Sequence, residues 1–160
     1  NITNENNEVI NKIKDVFGEE YIFDGKLNRV KMGELVFNNK EANKKLTDII
    51  HPVVKKEVLT KIKAASGKIV FVDVPLLYES KFDDLCHQVI CVYTTLDVNI
   101  ERLMKRDNIT LEYAISKINS QMDINLKVQK AHFIIDNSKD LCYTYNQIDK
   151  IINKLNEMRK

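Results

Sequence analysis

Three short runs constrain this sequence most: Ile69-Val70-Phe71-Val72, Val89-Ile90-Cys91-Val92-Tyr93 and Phe133-Ile134-Ile135. Each is rich in β-branched or aromatic residues and none alternates with polar ones, which suits strands buried on both faces of a parallel sheet. Gly67 and Pro75 bound the first run. Helical patterns separate the last two, so the expected class is α/β with a parallel sheet and flanking helices. Three strands make a thin sheet, against a mean of about five or six. The first strands are therefore expected to be absent from this chain, which opens at Asn1 without an initiator methionine.

The helices are read from apolar spacing. Val9, Ile10, Ile13, Val16 and Phe17 predict an amphipathic helix that stops at Gly18, with a turn at Asp24-Gly25. Val30, Met32, Leu35, Val36 and Phe37 predict a short second helix, and a long helical stretch runs from about Glu41 to Ala65. Pro52 interrupts it, either as a kink or as a fresh helix start, because proline lacks the backbone donor and crowds the preceding turn. Thr94-Thr95 can cap a helix carrying Val98, Ile100, Leu103 and Met104, Thr110 can cap another, and a terminal helix spans roughly Tyr143 to Met158. With no linker or repeat, residues 1–160 read as one domain: a helical region over about 1–66 and a sheet core over about 67–160.

Charge excludes several classes of partner. Twenty-five basic against twenty-three acidic residues leave a formal net charge of +2. That is too little field to hold a nucleic-acid backbone or an anionic membrane. No apolar run approaches the roughly 20 residues of a membrane span. Three cysteines, Cys86, Cys91 and Cys142, form neither a disulfide framework nor a zinc pair, which points to a reducing cytoplasm.

A focused anion site remains open. Arg102 and Arg106 lie four apart on one predicted helix and face the same way. Guanidinium forks match phosphate oxygens, although a solvated face paired to Glu101 or Asp107 is the plainer alternative. Asp73 ends the first apolar run, where ligands of open parallel sheets bind. It could hold a hydrated magnesium ion or serve as a turn acid. His51 could donate to a phosphate or simply sit at the helix break, while His87 and His132 read as structural. Neither Gly-x-Gly-x-x-Gly nor Gly-x-x-x-x-Gly-Lys-Ser/Thr occurs.

Five stretches, taken together, resemble the dephospho-coenzyme A kinases. They are Asp24 to Arg29, His51-Pro52, Val74-Pro75-Leu76-Leu77-Tyr78-Glu79, Arg102 through Asp107, and Gln121 through Asn137. The resemblance implies a P-loop kinase fold with a parallel sheet, a helical lid and a helical substrate-binding region. It implies phosphorylation of the ribose 3′-hydroxyl of dephospho-coenzyme A by ATP with magnesium, the last step of coenzyme A synthesis. By similarity, His51, Pro52 and the Leu76, Leu77, Tyr78, Glu79 loop line the acceptor side, supported by Arg29. Arg106 and the segment through Gln121 form the lid, with Arg102 as its second arginine, and Asn137 holds the adenine. His132 stands where the family commonly has aspartate. The family's phosphate loop would lie upstream of Asn1, so the 160 residues alone are expected to be inactive, and a true fragment could oligomerise. The alternatives are another small nucleotide or nucleoside kinase, or a non-catalytic acceptor-binding fragment.

Overall fold

The computed structural model describes residues 6–67 and 69–158. The chain divides between Asp73 and Val74 into two compact units.

The first unit begins with α1 (Asn7–Phe17). The Asn6 carboxamide accepts from the Glu8 and Val9 amides, satisfying two donors that a helix start leaves open. Gly18 closes the helix at φ 101°, a conformation that side chains resist. The chain then makes a 3₁₀ turn (Glu19–Tyr21) and an antiparallel hairpin of β1 (Ile22–Phe23) and β2 (Lys26–Leu27). Its two-residue turn is the expected Asp24-Gly25, both at positive φ, which matches the strand twist. α2 (Arg29–Asn38) is capped by Asn28, and α3 (Lys40–Ala64) by Asn39. Val9, Ile13 and Met32 are buried at the centre, with Phe17, Tyr21, Leu35, Leu46 and Ile50 packed around them. Burying each such aliphatic side chain contributes about 1.5–3 kcal/mol.

The second unit starts with the loop from Val74, anchored by the buried Phe82, and a 3₁₀ turn (Asp83–Leu85). β3 (Ile90–Tyr93) leads into α4 (Leu96–Asp107), α5 (Leu111–Asn119) and α6 (Ile124–Lys130). β4 (Phe133–Asp136) then pairs parallel to β3, from Ile90↔Phe133 to Tyr93↔Asp136. α7 (Leu141–Glu157), capped by Asp140, completes the unit. This is the expected α/β arrangement with a small parallel sheet.

Two expectations fail. Ile69–Val72 forms no strand among the described residues, and Phe71 is 64% exposed. β-branching favours extended backbone, but a strand exists only where a neighbour supplies ladder donors and acceptors. For the same reason burial on both faces is incomplete: Cys91 and Ile135 are buried, whereas Val92 is 56% exposed. The second failure concerns the fresh helix start at Pro52, since α3 runs through that residue. Among the described residues no helix is long and apolar enough to cross a membrane.

Candidate functional site

In the first unit, Arg29 opens α2, directly after the Asn28 cap. His51 and Pro52 occupy the middle of α3. Burial holds the His51 imidazole below its ordinary pKa, with Asp48 pulling the other way. The imidazole is therefore neutral near pH 7 and presents one donor and one acceptor nitrogen. Pro52 has no N–H to donate to the Asp48 carbonyl one turn earlier. A cleft of about 270 Å³ elsewhere in this unit is lined by Phe17, Tyr21, Leu35 and Lys45 among others. None of the expected site residues lines it.

In the second unit, the loop carrying Leu76, Leu77, Tyr78 and Glu79 is wound on itself. The Ser80 amide donates to the Leu76 carbonyl at 2.9 Å, and the Phe82 amide to the Leu77 carbonyl at 2.9 Å. Lys81 turns the chain at φ 55°. This winding fixes the orientation of Tyr78 and Glu79. The Tyr78 hydroxyl is buried without a hydrogen-bond partner, and the Lys130 ammonium lies 5.3 Å from its ring. Glu79 Oε1 accepts from Lys127 Nζ at 2.7 Å and from the Met122 amide at 3.0 Å. Burial pushes the Glu79 pKa up, but the Lys127 ammonium and two backbone amides outweigh it, so the carboxyl stays below its usual range.

The two arginines of α4 share a face yet have different partners. Arg102 Nη1 donates to the Asn137 carbonyl at 2.8 Å. Arg106, 74% exposed, forks onto its neighbour Asp107, with Nε–Oδ1 at 2.7 Å and Nη2–Oδ2 at 3.2 Å. Lys117 Nζ approaches the same carboxylate at 2.9 Å. These two cations hold the Asp107 carboxyl far below the ordinary range.

At the carboxyl ends of β3 and β4, a polar turn is fixed by several bonds. The Asn137 amide donates to the Tyr93 carbonyl at 2.8 Å. Asn137 Oδ1 accepts from the Thr144 hydroxyl at 3.1 Å, which leaves its NH₂ as the donor face. Ser138 Oγ accepts from the Thr95 amide at 3.0 Å, and Gln147 exchanges two hydrogen bonds of 2.9 Å with the Asp136 backbone. Strand ends of this kind are where open α/β sheets take their ligands.

Other expected residues stand apart. Gln121 follows α5 and is exposed, its amide donating to the Ile118 carbonyl. Asp73 is exposed at the last position of the first unit. Among the described residues no three His, Cys, Asp or Glu side chains gather to hold a metal. Burial pushes the Cys86 and Cys91 thiols up, away from thiolate character. Sequence reasoning missed Lys127, Lys117, Thr144, Ser138 and Gln147. Asp107, by contrast, was anticipated as a partner of the two arginines, and the structure pairs it with Arg106.

The sequence profile of the dephospho-CoA kinase family matches residues 1–142. The dephospho-CoA kinase of Listeria innocua is 45% identical over 136 residues, covering 82% of this chain and 68% of that one. Its counterpart in Listeria monocytogenes is 41% identical over 151 residues, covering 92% and 76%. Among solved structures, the dephospho-CoA kinase of Campylobacter jejuni superposes with a TM-score of 0.68 at 34% identity, covering 99% of this chain and 81% of that one. A Thermus thermophilus crystal structure shares the fold at TM-score 0.74 and 22% identity, covering 92% and 81%.

Proposed function

The chain belongs to the dephospho-CoA kinase family, and from that membership we propose that it takes part in transfer of a phosphoryl group from ATP to the ribose 3′-hydroxyl of dephospho-coenzyme A in the cytoplasm. The observation that supports a nucleotide site is the turn at the ends of β3 and β4. There Arg102 holds the Asn137 carbonyl at 2.8 Å and Thr144 holds the Asn137 Oδ1 at 3.1 Å. A donor amide is thereby preorganised for an adenine acceptor atom, and no entropy is spent on ordering it when the base arrives.

Arg106 acts on the phosphoryl group. Its fork onto Asp107 satisfies the guanidinium at the lid until phosphate oxygens compete for the same donors. Positive charge so placed stabilises negative charge on the equatorial oxygens during transfer. The Leu76, Leu77, Tyr78 and Glu79 loop with Gln121, and separately Arg29, His51 and Pro52, form the acceptor-binding groups. The helical region of about 1–66 serves the acceptor together with that loop, and the rest of about 67–160 supplies the sheet core and the lid. Magnesium would take its ligands from the phosphates and water with Asp73 as a protein carboxylate, and would neutralise phosphate charge.

An acceptor panel assayed for ADP release in the natively encoded protein tests the reading. Dephospho-coenzyme A is expected to exceed AMP, GMP and free nucleosides. Preferential phosphorylation of AMP would make the protein a nucleotide kinase of another specificity, and acceptor binding without ADP release would make it a binding module.

A further inference from the structure

Among the described residues the Glu79–Lys127 pair is the least exposed ion pair, and like Lys117–Asp107 it joins separate elements. Pairs such as Lys12–Glu8 and Lys44–Asp48 are one helical turn apart, with both partners more than half exposed. Such pairs contribute a few tenths of a kcal/mol and position nothing beyond their own helix. In Glu79–Lys127 the side chains are only 25% and 13% exposed, and they come from a loop and from α6. Glu79 Oε1 also accepts from the Met122 amide, the residue directly after Gln121. One carboxylate oxygen therefore joins three segments: its own loop, the chain leaving α5, and α6. Lys130 lies three residues after Lys127 on the same face of α6, and its ammonium stands over the ring of Tyr78. Two lysines of one helix thus engage two consecutive residues of one loop.

Resting on the acceptor role given above to the Leu76–Glu79 loop and to Gln121, we propose that Lys127 is a positioning residue: through Glu79 it fastens that loop to the Gln121–Met122 segment, so that both present one geometry to the acceptor. Without the ammonium, the half-buried Glu79 carboxylate loses its counter-charge and turns toward water. The Met122 amide is then released and the loop gains alternative orientations. Binding must first reselect the competent one, and that cost falls on acceptor affinity rather than on the chemical step. The nucleotide turn at Asn137 does not contact this cluster through any of the bonds described.

The test uses Lys127→Met, which keeps length and removes charge, Lys127→Arg, which keeps the charge, and Glu79→Gln as an independent way to weaken the pair. In the natively encoded protein, Lys127→Met is expected to raise the acceptor KM by roughly tenfold, with kcat and the ATP KM within about twofold. Amide exchange at Met122 accelerates in the same variant, Lys127→Arg restores both readouts, and Glu79→Gln reproduces the loss. Unchanged acceptor KM and unchanged Met122 exchange in Lys127→Met would overturn the proposal. A fall in kcat and both affinities together with a lowered thermal midpoint would overturn it too, because general loss of fold behaves so. The acceptor panel separates this outcome from failure of the functional reading. If a different acceptor is preferred, that reading falls, and Met122 exchange, which needs no substrate, still decides whether Lys127 fastens the loop.

Discussion

His132 works as a hydrogen-bond acceptor at the start of β3. Its Nδ1 accepts the Val89 amide at 3.1 Å, while its own amide and that of Phe133 donate to the Val89 carbonyl at 2.9 and 3.1 Å. Val89 is thereby gripped at both polar atoms where β3 begins. An aspartate, which the family resemblance leads one to expect here, would offer an oxygen two bonds from Cβ, the same reach as Nδ1. His132→Ala is expected to lower unfolding free energy by about 1 kcal/mol, and His132→Asp to recover most of it. Urea denaturation checks this, and an alanine variant as stable as the parent would show that the bond contributes nothing. Arg106 belongs to the same scale. On the role proposed for it at the transferring phosphoryl group, its replacement by alanine should lower turnover about a hundredfold with little change in acceptor KM, because such a guanidinium acts on charge that develops during transfer. Steady-state kinetics on folded protein decides, and unchanged turnover would remove Arg106 from the reaction.

Among the elements, α3 runs through a proline and so keeps an unfavourable residue in its interior. Proline there costs up to about 3 kcal/mol relative to alanine. Pro52→Ala should therefore raise the thermal midpoint and, on the acceptor role proposed for Pro52, weaken acceptor binding. A lowered midpoint would mean that Pro52 is required by packing instead. The loop held by Glu79 has its own pH signature. Its carboxyl is depressed below the ordinary value of about 4.3. A group depressed on folding contributes stability that is present above its unfolded pKa and is lost as pH falls through the folded one. Protection of the Met122 amide, corrected for intrinsic exchange, should therefore hold constant from pH 7 to about 5 and decline only in stronger acid. Loss of protection near neutrality would point to a different group.

At the scale of the molecule, ATP recognition by the 160 residues themselves follows from phosphate physics. The sequence contains no Gly-x-x-x-x-Gly-Lys-Ser/Thr loop, whose successive amides, lysine and helix start would cradle several charges at once. Arg106 is mostly exposed and already paired, and such cations in water add little unless other groups fix the phosphates between them. A polypeptide of these 160 residues is expected to bind ATP weakly and to show no kinase turnover, even with magnesium. Titration calorimetry beside a coupled ADP assay checks this, and micromolar affinity would show that residues here read as structural build a phosphate site.

The elements were legible wherever their causes are local. Helix periodicity, the Asp24-Gly25 turn and the Thr110 cap act within a few residues, so α1, α2, α5, α7 and that turn could be read directly. α6 escaped because seven residues span only two turns, too few for a period to show. The family resemblance marked Glu79, Arg102, Arg106 and Asn137 as residues of interest, but not what each one touches. That Arg102 meets a carbonyl 35 positions away, that Glu79 takes an amide 43 positions away, and that Ile69–Val72 stays without a ladder were decided by tertiary structure. A side chain's chemistry specifies which partners would satisfy it. Which of them comes within about 3 Å depends on how segments far apart in sequence pack, since hydrogen bonds and ladders form only at contact distance.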